Sequence, residues 1–223
     1  RNTGDANNPH YLLDNTLTTG ISDAGINNFP TFADLDNDGD FDLLIGRDLQ
    51  TFQFYKNTGT DKTPVWTPNA SVFAGVENTT YWKSPQLVDL DNDGDFDLLY
   101  GTSDGNLFYY QNVGTITAPS YSYKSDYFKI IKNDGSAASM SIADFDHDGD
   151  YDFVSGSWST KFNYFKNNGT PTEPVFAKST SSFTSLSTAS SYANPEFVDL
   201  DNDGDFDIVA GMLNGKLQCW INN

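Results

Sequence analysis

Residues 34–42 read Asp-Leu-Asp-Asn-Asp-Gly-Asp-Phe-Asp; the same nine positions return unchanged at 89–97 and 199–207, and as Asp-Phe-Asp-His-Asp-Gly-Asp-Tyr-Asp at 144–152. Each copy lies 55 residues after the one before it, and a fixed period of this length marks a repeat architecture. The register extends outward from these acidic stretches. Gly46, Gly101, Gly156 and Gly211 share one column, Asn57, Asn112, Asn167 and Asn222 another, and Pro9, Pro64, Pro119 and Pro174 a third. Aromatic residues recur at Tyr11, Trp66, Tyr121 and Phe176, and again at Tyr55, Tyr110, Phe165 and Trp220.

Within a unit, a short apolar stretch such as 32–34 precedes the acidic loop, and Phe41, Leu43, Leu44 and Ile45 follow it up to the glycine. An aromatic segment at 52–56, an Asn-Thr-Gly-Thr turn and a segment opening at Pro64 complete the unit. These are strand-length runs rich in β-formers, and no window sustains helical periodicity. Four strands per unit is the construction of a propeller blade. The expected fold is therefore an all-β, four-bladed β-propeller of four-stranded antiparallel blades. It forms a single domain over 1–223, with units at about 30–84, 85–139, 140–194, and 195–223 completed by 1–29. Arg1-Asn2-Thr3-Gly4 aligns with Lys56-Asn57-Thr58-Gly59, while Ile221-Asn222-Asn223 ends in the same column. The segment 9–14 is accordingly expected to close the last blade as its outer strand, hiding an exposed edge. A ring of seven or eight blades, from a longer parent chain or from two paired chains, is the alternative.

Composition is acidic in one particular way: 28 Asp against only 3 Glu and 12 Lys plus Arg, for a formal net charge of -19. Asp is the short, hard-oxygen ligand and turn former, so the bias points to metal loops. Such a charge disfavours nucleic-acid phosphates and anionic membrane surfaces, because the few basic residues are scattered singly. The single cysteine, Cys219, cannot form an intrachain disulfide. With no apolar run of spanning length and no signal peptide at its start, the sequence reads as a soluble mature chain or an excised domain, with no direct membrane insertion.

In the first loop Asp34, Asp36, Asp38, Gly39, Asp40 and Asp42 occupy positions 1, 3, 5, 6, 7 and 9. Calcium takes six to eight oxygens in a flexible shell. Carboxylates at 1, 3 and 5 point into a tight curve, glycine at 6 permits the turn, position 7 offers its carbonyl, and the carboxylate at 9 closes the shell. The side chain at 7 is left to face solvent. The equivalent sets are Asp89, Asp91, Asp93, Asp95 and Asp97; Asp144, Asp146, Asp148, Asp150 and Asp152; and Asp199, Asp201, Asp203, Asp205 and Asp207. Magnesium keeps its waters and demands a rigid octahedron, and zinc prefers His or Cys. Metal-free Asx turns are the bland alternative, but five carboxylates in nine residues repel one another without a cation. Four calcium ions, one per repeat, are expected; they would move the formal charge from -19 to -11 by adding +8.

The DxDxDGxxD loop followed by a Phe-Asp-Leu-Leu-x-Gly strand resembles the FG-GAP or VCBS repeat, the blade unit of integrin-α-type propellers. The resemblance covers all four units, and it implies that each loop joins the two inner strands of a blade. It also implies calcium at Asp34, Asp36, Asp38, Asp40, Asp42 and their three equivalent sets. The chain departs from the family in having four units where such propellers often have seven, and in lacking a separate headpiece.

Catalysis is not expected. Twenty of the 31 carboxylates belong to the acidic loops and the rest fall at turns; His10 and His147 lack a nucleophile in a recognisable motif; and Cys219 sits in the column of Phe54, Tyr109 and Tyr164. Calcium-dependent polysaccharide cleavage is the least implausible enzymatic form, through carboxylate pairs converging from different blades. Recognition is expected instead on the face opposite the loops, where the repeat breaks down. Arg47 belongs to one variable column there, Trp158 aligns with Asp48, and Trp82 and Tyr192 align with Asn27 and Ala137, so the blade itself does not require these aromatics. They suit a sugar ring or a partner's side chains. The expected partner is a protein or carbohydrate ligand, bound by an adhesion module or a lectin that is secreted, cell-surface or periplasmic, where calcium is abundant. Sequons at Asn69, Asn78 and Asn168 fit that setting without deciding it.

Overall fold

The structure, a computed structural model, describes residues 3–4, 8, 10, 12–22, 25–48, 51–76, 80–125, 139–179, 183 and 186–222. Its β-branched and aromatic runs, punctuated by Gly, Asn and Asp turns, form strands and no α-helix among the described residues. The first blade holds β1 (Phe29–Ala33), β2 (Asp42–Gly46), β3 (Gln53–Asn57) and β4 (Trp66–Pro68). The second holds β5 (Ser84–Val88), β6 (Asp97–Gly101), β7 (Leu107–Asn112) and β8 (Tyr121–Tyr123). The third holds β9 (Met140–Ala143), β10 (Asp152–Ser155), β11 (Asn163–Asn167) and β12 (Phe176–Ser179), and the last β13 (Asn194–Val198), β14 (Asp207–Gly211) and β15 (Leu217–Trp220). Every neighbouring pair is antiparallel and in chain order, so the molecule is a four-bladed β-propeller. The repeat keeps one register throughout: Ala33 faces Asp42, Val88 faces Asp97, Ala143 faces Asp152 and Val198 faces Asp207.

Because side chains alternate across a strand, each blade offers one apolar face to the blade before it and another to the blade after it. Leu44, Phe52 and Phe54 of the first blade pack on Leu98, Tyr100 and Tyr110 of the second. Leu99, Leu107 and Tyr109 pack in turn on Met140, Phe153 and Phe165, and Val154, Phe162 and Tyr164 on Phe197, Ile208 and Ala210. Linking segments seal the seams, with Phe73 stacked on Tyr121 at 4.8 Å. Each large side chain removed from water contributes about 1.5–3 kcal/mol, so these three seams form the core. A Cβ at Gly46 would collide with the Lys83 carbonyl, and one at Gly156 with the Ala193 carbonyl; the glycine column lets the next inner strand approach to backbone contact.

The expected outer strand over 9–14 includes Pro9 and Tyr11, which lie outside the described residues. Among the described residues no fourth strand pairs with β15. Thr3 N–H donates to His10 O at 2.7 Å, the bond that Thr58 makes to Val65 and Asn168 to Val175 in the repeat. From Asp14 onward the chain lies on the first blade, where Leu17 O accepts from Trp66 Nε1 at 2.7 Å and Ile21 packs on Leu43, Ile45 and Tyr55. Its apolar side chains find an uncovered apolar face there, which decides its placement.

Candidate functional site: acidic loops and an aromatic rim

Each acidic loop joins the two inner strands of its blade, β1 to β2 in the first and likewise in the others. The carboxylate at position 1 folds the loop on itself: Asp34 accepts from Asp38 N at 3.0 Å and Gly39 N at 2.9 Å, and Asp89 repeats this with Asp93 and Gly94, both at 3.0 Å. Position 4 is left-handed in every loop, with φ of 57° at Asn37, Asn92 and His147 and 62° at Asn202. Asn and His tolerate that region, which explains their column, and glycine at position 6 takes φ near 94–99°. The turn brings carboxylate oxygens of positions 1, 3 and 5 within 4.8 Å of one another in all four loops. Asp36 Oδ1, Asp91 Oδ1 and Asp199 Oδ1 are buried there without a hydrogen-bond partner. A concave set of hard oxygens with orphaned acceptors fits a divalent cation such as calcium.

Two positions differ from the sequence reading. The side chain at position 7, expected in solvent, is buried in the second and third loops: Asp95 and Asp150 are 7% and 9% exposed, each with an orphaned Oδ1. Burial and then the neighbouring carboxylates push both up to about 6, because the ionised form is desolvated among like charges. The carboxylate at position 9 has a second occupation. Asp42 accepts from Leu35 N at 3.2 Å and Asn57 N at 2.8 Å, and Asp97 from Leu90 N at 3.2 Å, Asn112 N at 2.7 Å and Tyr109 Oη at 2.8 Å. Position 9 thus ties the loop to the end of the third strand, and the Asn side chain there ties the next turn: Asn57 Oδ1 accepts from Gly59 N and Val65 N, both at 3.0 Å. Burial raises Asp42 to about 6 and Asp97 to about 7. Lys56 and Lys166, one residue before the Asn column, reach Asp36 and Asp146 and supply a local counter-charge in the first and third loops. The second loop has Gln111 on Asp91 instead.

At the opposite end of the blades the sequence-selected aromatics meet. Trp82 and Tyr192 precede the inner strands β5 and β13, and Trp158 follows β10. Their rings lie 6.4 Å apart for Trp82 and Trp158, nearly parallel at 5°, 5.2 Å for Trp82 and Tyr192, and 3.9 Å for Trp158 and Tyr192. Trp158 is 50% exposed. Trp82 and Tyr192 hold φ of 54° and 57°, left-handed values that bulky residues rarely adopt. Asp48 holds that turn at Trp82, accepting its backbone N–H at 2.7 Å and the Asn27 amide at 2.8 Å. Trp82 and Tyr192 line a cavity of about 220 Å³ with Phe29, Ser84, Ser139 and Asn194, one residue from each inner strand or its start, together with Asn27 and Ala193. Arg47 is not brought to the cluster: its Nε donates to Thr51 O at 3.0 Å, bracing its own turn. Asn27 and Asp48, which the sequence reading aligned with Trp82 and Trp158 without choosing them as ligand residues, belong to this rim.

No curated protein matches the sequence. Among solved structures, the chain is similar to an Agrocybe aegerita lectin described as specifically recognising non-reducing terminal N-acetylglucosamine. The identity is 17% and the TM-score 0.52, over 86% of this chain and 48% of that one. It is also similar to BBS1N from a complex with ARL6DN, at 13% identity and a TM-score of 0.42, over 86% of this chain and 52% of that one. The chain thus spans about half the length of these structures, and at 17% identity the likeness to the lectin is one of fold. The FG-GAP-like repeat matches three times, at 34–100, 89–155 and 144–210, each match running from one acidic loop through the strand after the next. With these matches covering most of its length and its loops, strands and glycines repeating in register, the chain belongs to the FG-GAP-like repeat family.

Proposed function

We propose that the protein is a calcium-stabilised recognition module working outside the cytoplasm, holding one Ca²⁺ in each of its four loops and binding a carbohydrate on the opposite rim. The observation that carries this reading is the convergence of Trp82, Trp158 and Tyr192 at the ends of the inner strands, with Trp82 and Tyr192 lining the cavity there. Aromatic faces beside hydroxyl and amide groups suit the apolar faces and polar edges of a sugar ring, and Ser84, Ser139, Asn27 and Asn194 line the cavity with such groups. The left-handed turns at Trp82 and Tyr192 support the same reading, since backbone held in a sparsely populated region concentrates at functional sites. The fold likeness to a lectin favours a sugar over a protein side chain as the occupant. The all-oxygen donor set and its orphaned acceptors support calcium in the loops. The reading is of binding without turnover.

A glycan array that includes terminal N-acetylglucosamine, read with calcium and with EDTA, tests it. Trp158→Ala should abolish the signal while leaving the melting curve in place, because the ring is half in solvent. An array blank in calcium, or a signal indifferent to that substitution, would overturn the carbohydrate reading. Depolymerisation of a bound polysaccharide would replace it with an enzymatic one.

A further inference from the structure

The acidic loops share one backbone plan but not one electrostatic setting. The carboxylate at position 9 pins the Asn that follows the third strand's last basic or polar side chain: Asn57 N donates to Asp42 Oδ1 at 2.8 Å, Asn112 N to Asp97 Oδ1 at 2.7 Å and Asn167 N to Asp152 Oδ1 at 2.8 Å. The residue before that Asn is therefore held beside its own loop. In chain order it is Lys56, Gln111, Lys166 and Ile221.

In the first and third loops this places an ammonium on the carboxylates at positions 3 and 5. Lys56 Nζ reaches Asp36 and stands 3.4 Å from Asp38; Lys166 Nζ reaches Asp146 and stands 2.9 Å from Asp148. These same carboxylates converge with position 1 as donors for a cation. In the second loop the uncharged amide of Gln111 reaches Asp91 instead. Asp91 and Asp95 are 8% and 7% exposed there, and Oδ1 of each is buried without a partner. The first and third loops hold one such atom each, Asp36 Oδ1 and Asp150 Oδ1. Asp95 is raised by the charges of Asp93, Asp91 and Asp89, so it belongs to the concave set of its own loop. Two buried carboxylates with unfilled lone pairs call for a cation more strongly than a set already met by an ammonium. The fourth loop has Ile221 in the column, which brings no charge.

We propose that Lys56 and Lys166 are built-in competitors for the ion, so that the second and fourth loops fill with calcium first and the first and third loops fill at about tenfold higher concentration. The inference rests on the calcium proposed above. The factor follows from charge: a divalent ion and an ammonium about 6 Å apart in water-like surroundings repel by enough to weaken binding about tenfold. Both lysine side chains are partly open to water, which keeps the effect at that size. The module then responds to calcium over two ranges, and in the first and third loops the lysine relieves part of the repulsion among the aspartates before the ion arrives.

A calcium titration followed by NMR tests this, because one amide reports on each loop. Gly39, Gly94, Gly149 and Gly204 N–H donate to the position 1 carboxylate of their own loop, at 2.9, 3.0, 3.1 and 3.2 Å. Gly94 and Gly204 should shift first, and Gly39 and Gly149 at about tenfold more calcium. Lys56→Met should tighten the first loop about tenfold, and Lys166→Met the third. Lys56→Arg, which keeps the charge, should leave the first loop as it is, and Gln111→Lys should move Gly94 into the later group. A loop that needed its lysine only for shape would bind more weakly after the change to Met, the opposite sign. Lys161→Met removes a charge from the exposed rim end between β10 and β11, and should move none of the four glycines. Loops that fill together, Met substitutions that fail to tighten, or equal tightening from Lys161→Met would overturn the competition while leaving the calcium reading in place. Glycines that ignore calcium altogether would remove both.

Discussion

The two ends of the blades follow opposite rules. At the loop end, positions 1, 3, 5, 6, 7 and 9 are identical in all four copies, and the carboxylate at 9 makes the same backbone bonds to the third strand in each, as in Asp207 with Asn222 N at 2.9 Å. At the rim end, one column holds Asp48, Ser103, Trp158 and Leu213, and what recurs is only a backbone contact, Ser103 N to Tyr81 O at 2.9 Å and Leu213 N to Ser191 O at 3.1 Å. Where the same side chain holds the turn in every copy, the sequence is fixed; at the rim only Asp48 does so, at Trp82, and the column's other side chains are free to serve a ligand. Perturbing the loop end should therefore cost stability, and perturbing the rim should cost binding.

The largest test of that contrast is chelation of the proposed calcium. With four sites each filled at ten times its dissociation constant, linkage contributes roughly 5–6 kcal/mol, so chelation should lower the melting temperature by about 10–20 °C. A melting curve unmoved by EDTA would collapse the distinction. Next in size is Asp97→Ala, which removes the buried acceptor shared by Leu90 N, Asn112 N and Tyr109 Oη; chemical denaturation should show a loss of about 3–5 kcal/mol. A loss below about 1 kcal/mol would mean that position 9 serves the ion alone. The smallest effect is a reversal with pH. Asp42, Asp95 and Asp150 rise to about 6 and Asp97 to about 7, so the metal-free folded state holds protons that the unfolded chain has released. That stability is complete below the unfolded value of 3.8 and fades as pH climbs through 6 to 7. Metal-free protein should melt higher at about pH 5 than at about pH 7.5, and calcium, which binds the ionised form, should invert the order.

The fold was legible because the period was strict: one loop spacing, repeated four times, located the strands, the seams and the glycine column. The rim was legible by exception, since Trp82, Trp158 and Tyr192 break columns that the blade fills with other residues. Position 7 was not legible. Its burial at Asp95 and Asp150 is a tertiary fact with no local signature; Asp150 shares a cleft with Asp89, Leu90 and Asn92 of the preceding blade's loop. Position 9 was half legible, because a carboxylate placed to meet a cation and one placed to accept two backbone N–H groups look alike in sequence. Arg47 was misleading for a related reason. Its column is buried in the other blades at Thr102 and Ser157, so a charged residue there suggested a ligand but instead secures its own turn.

At Gly46 and Gly156 a backbone carbonyl of the neighbouring blade fills the place that a Cβ would take. The pitch from one sheet to the next is therefore set by main-chain atoms, and side-chain volume has little say in it. Evolution can exchange Tyr, Phe and Trp along the aromatic columns without altering curvature, whereas a single methyl group at one of those glycines would force the neighbouring sheets apart at the axis. Engineers wishing to change the ring's diameter have one lever, and it is the residue with no side chain.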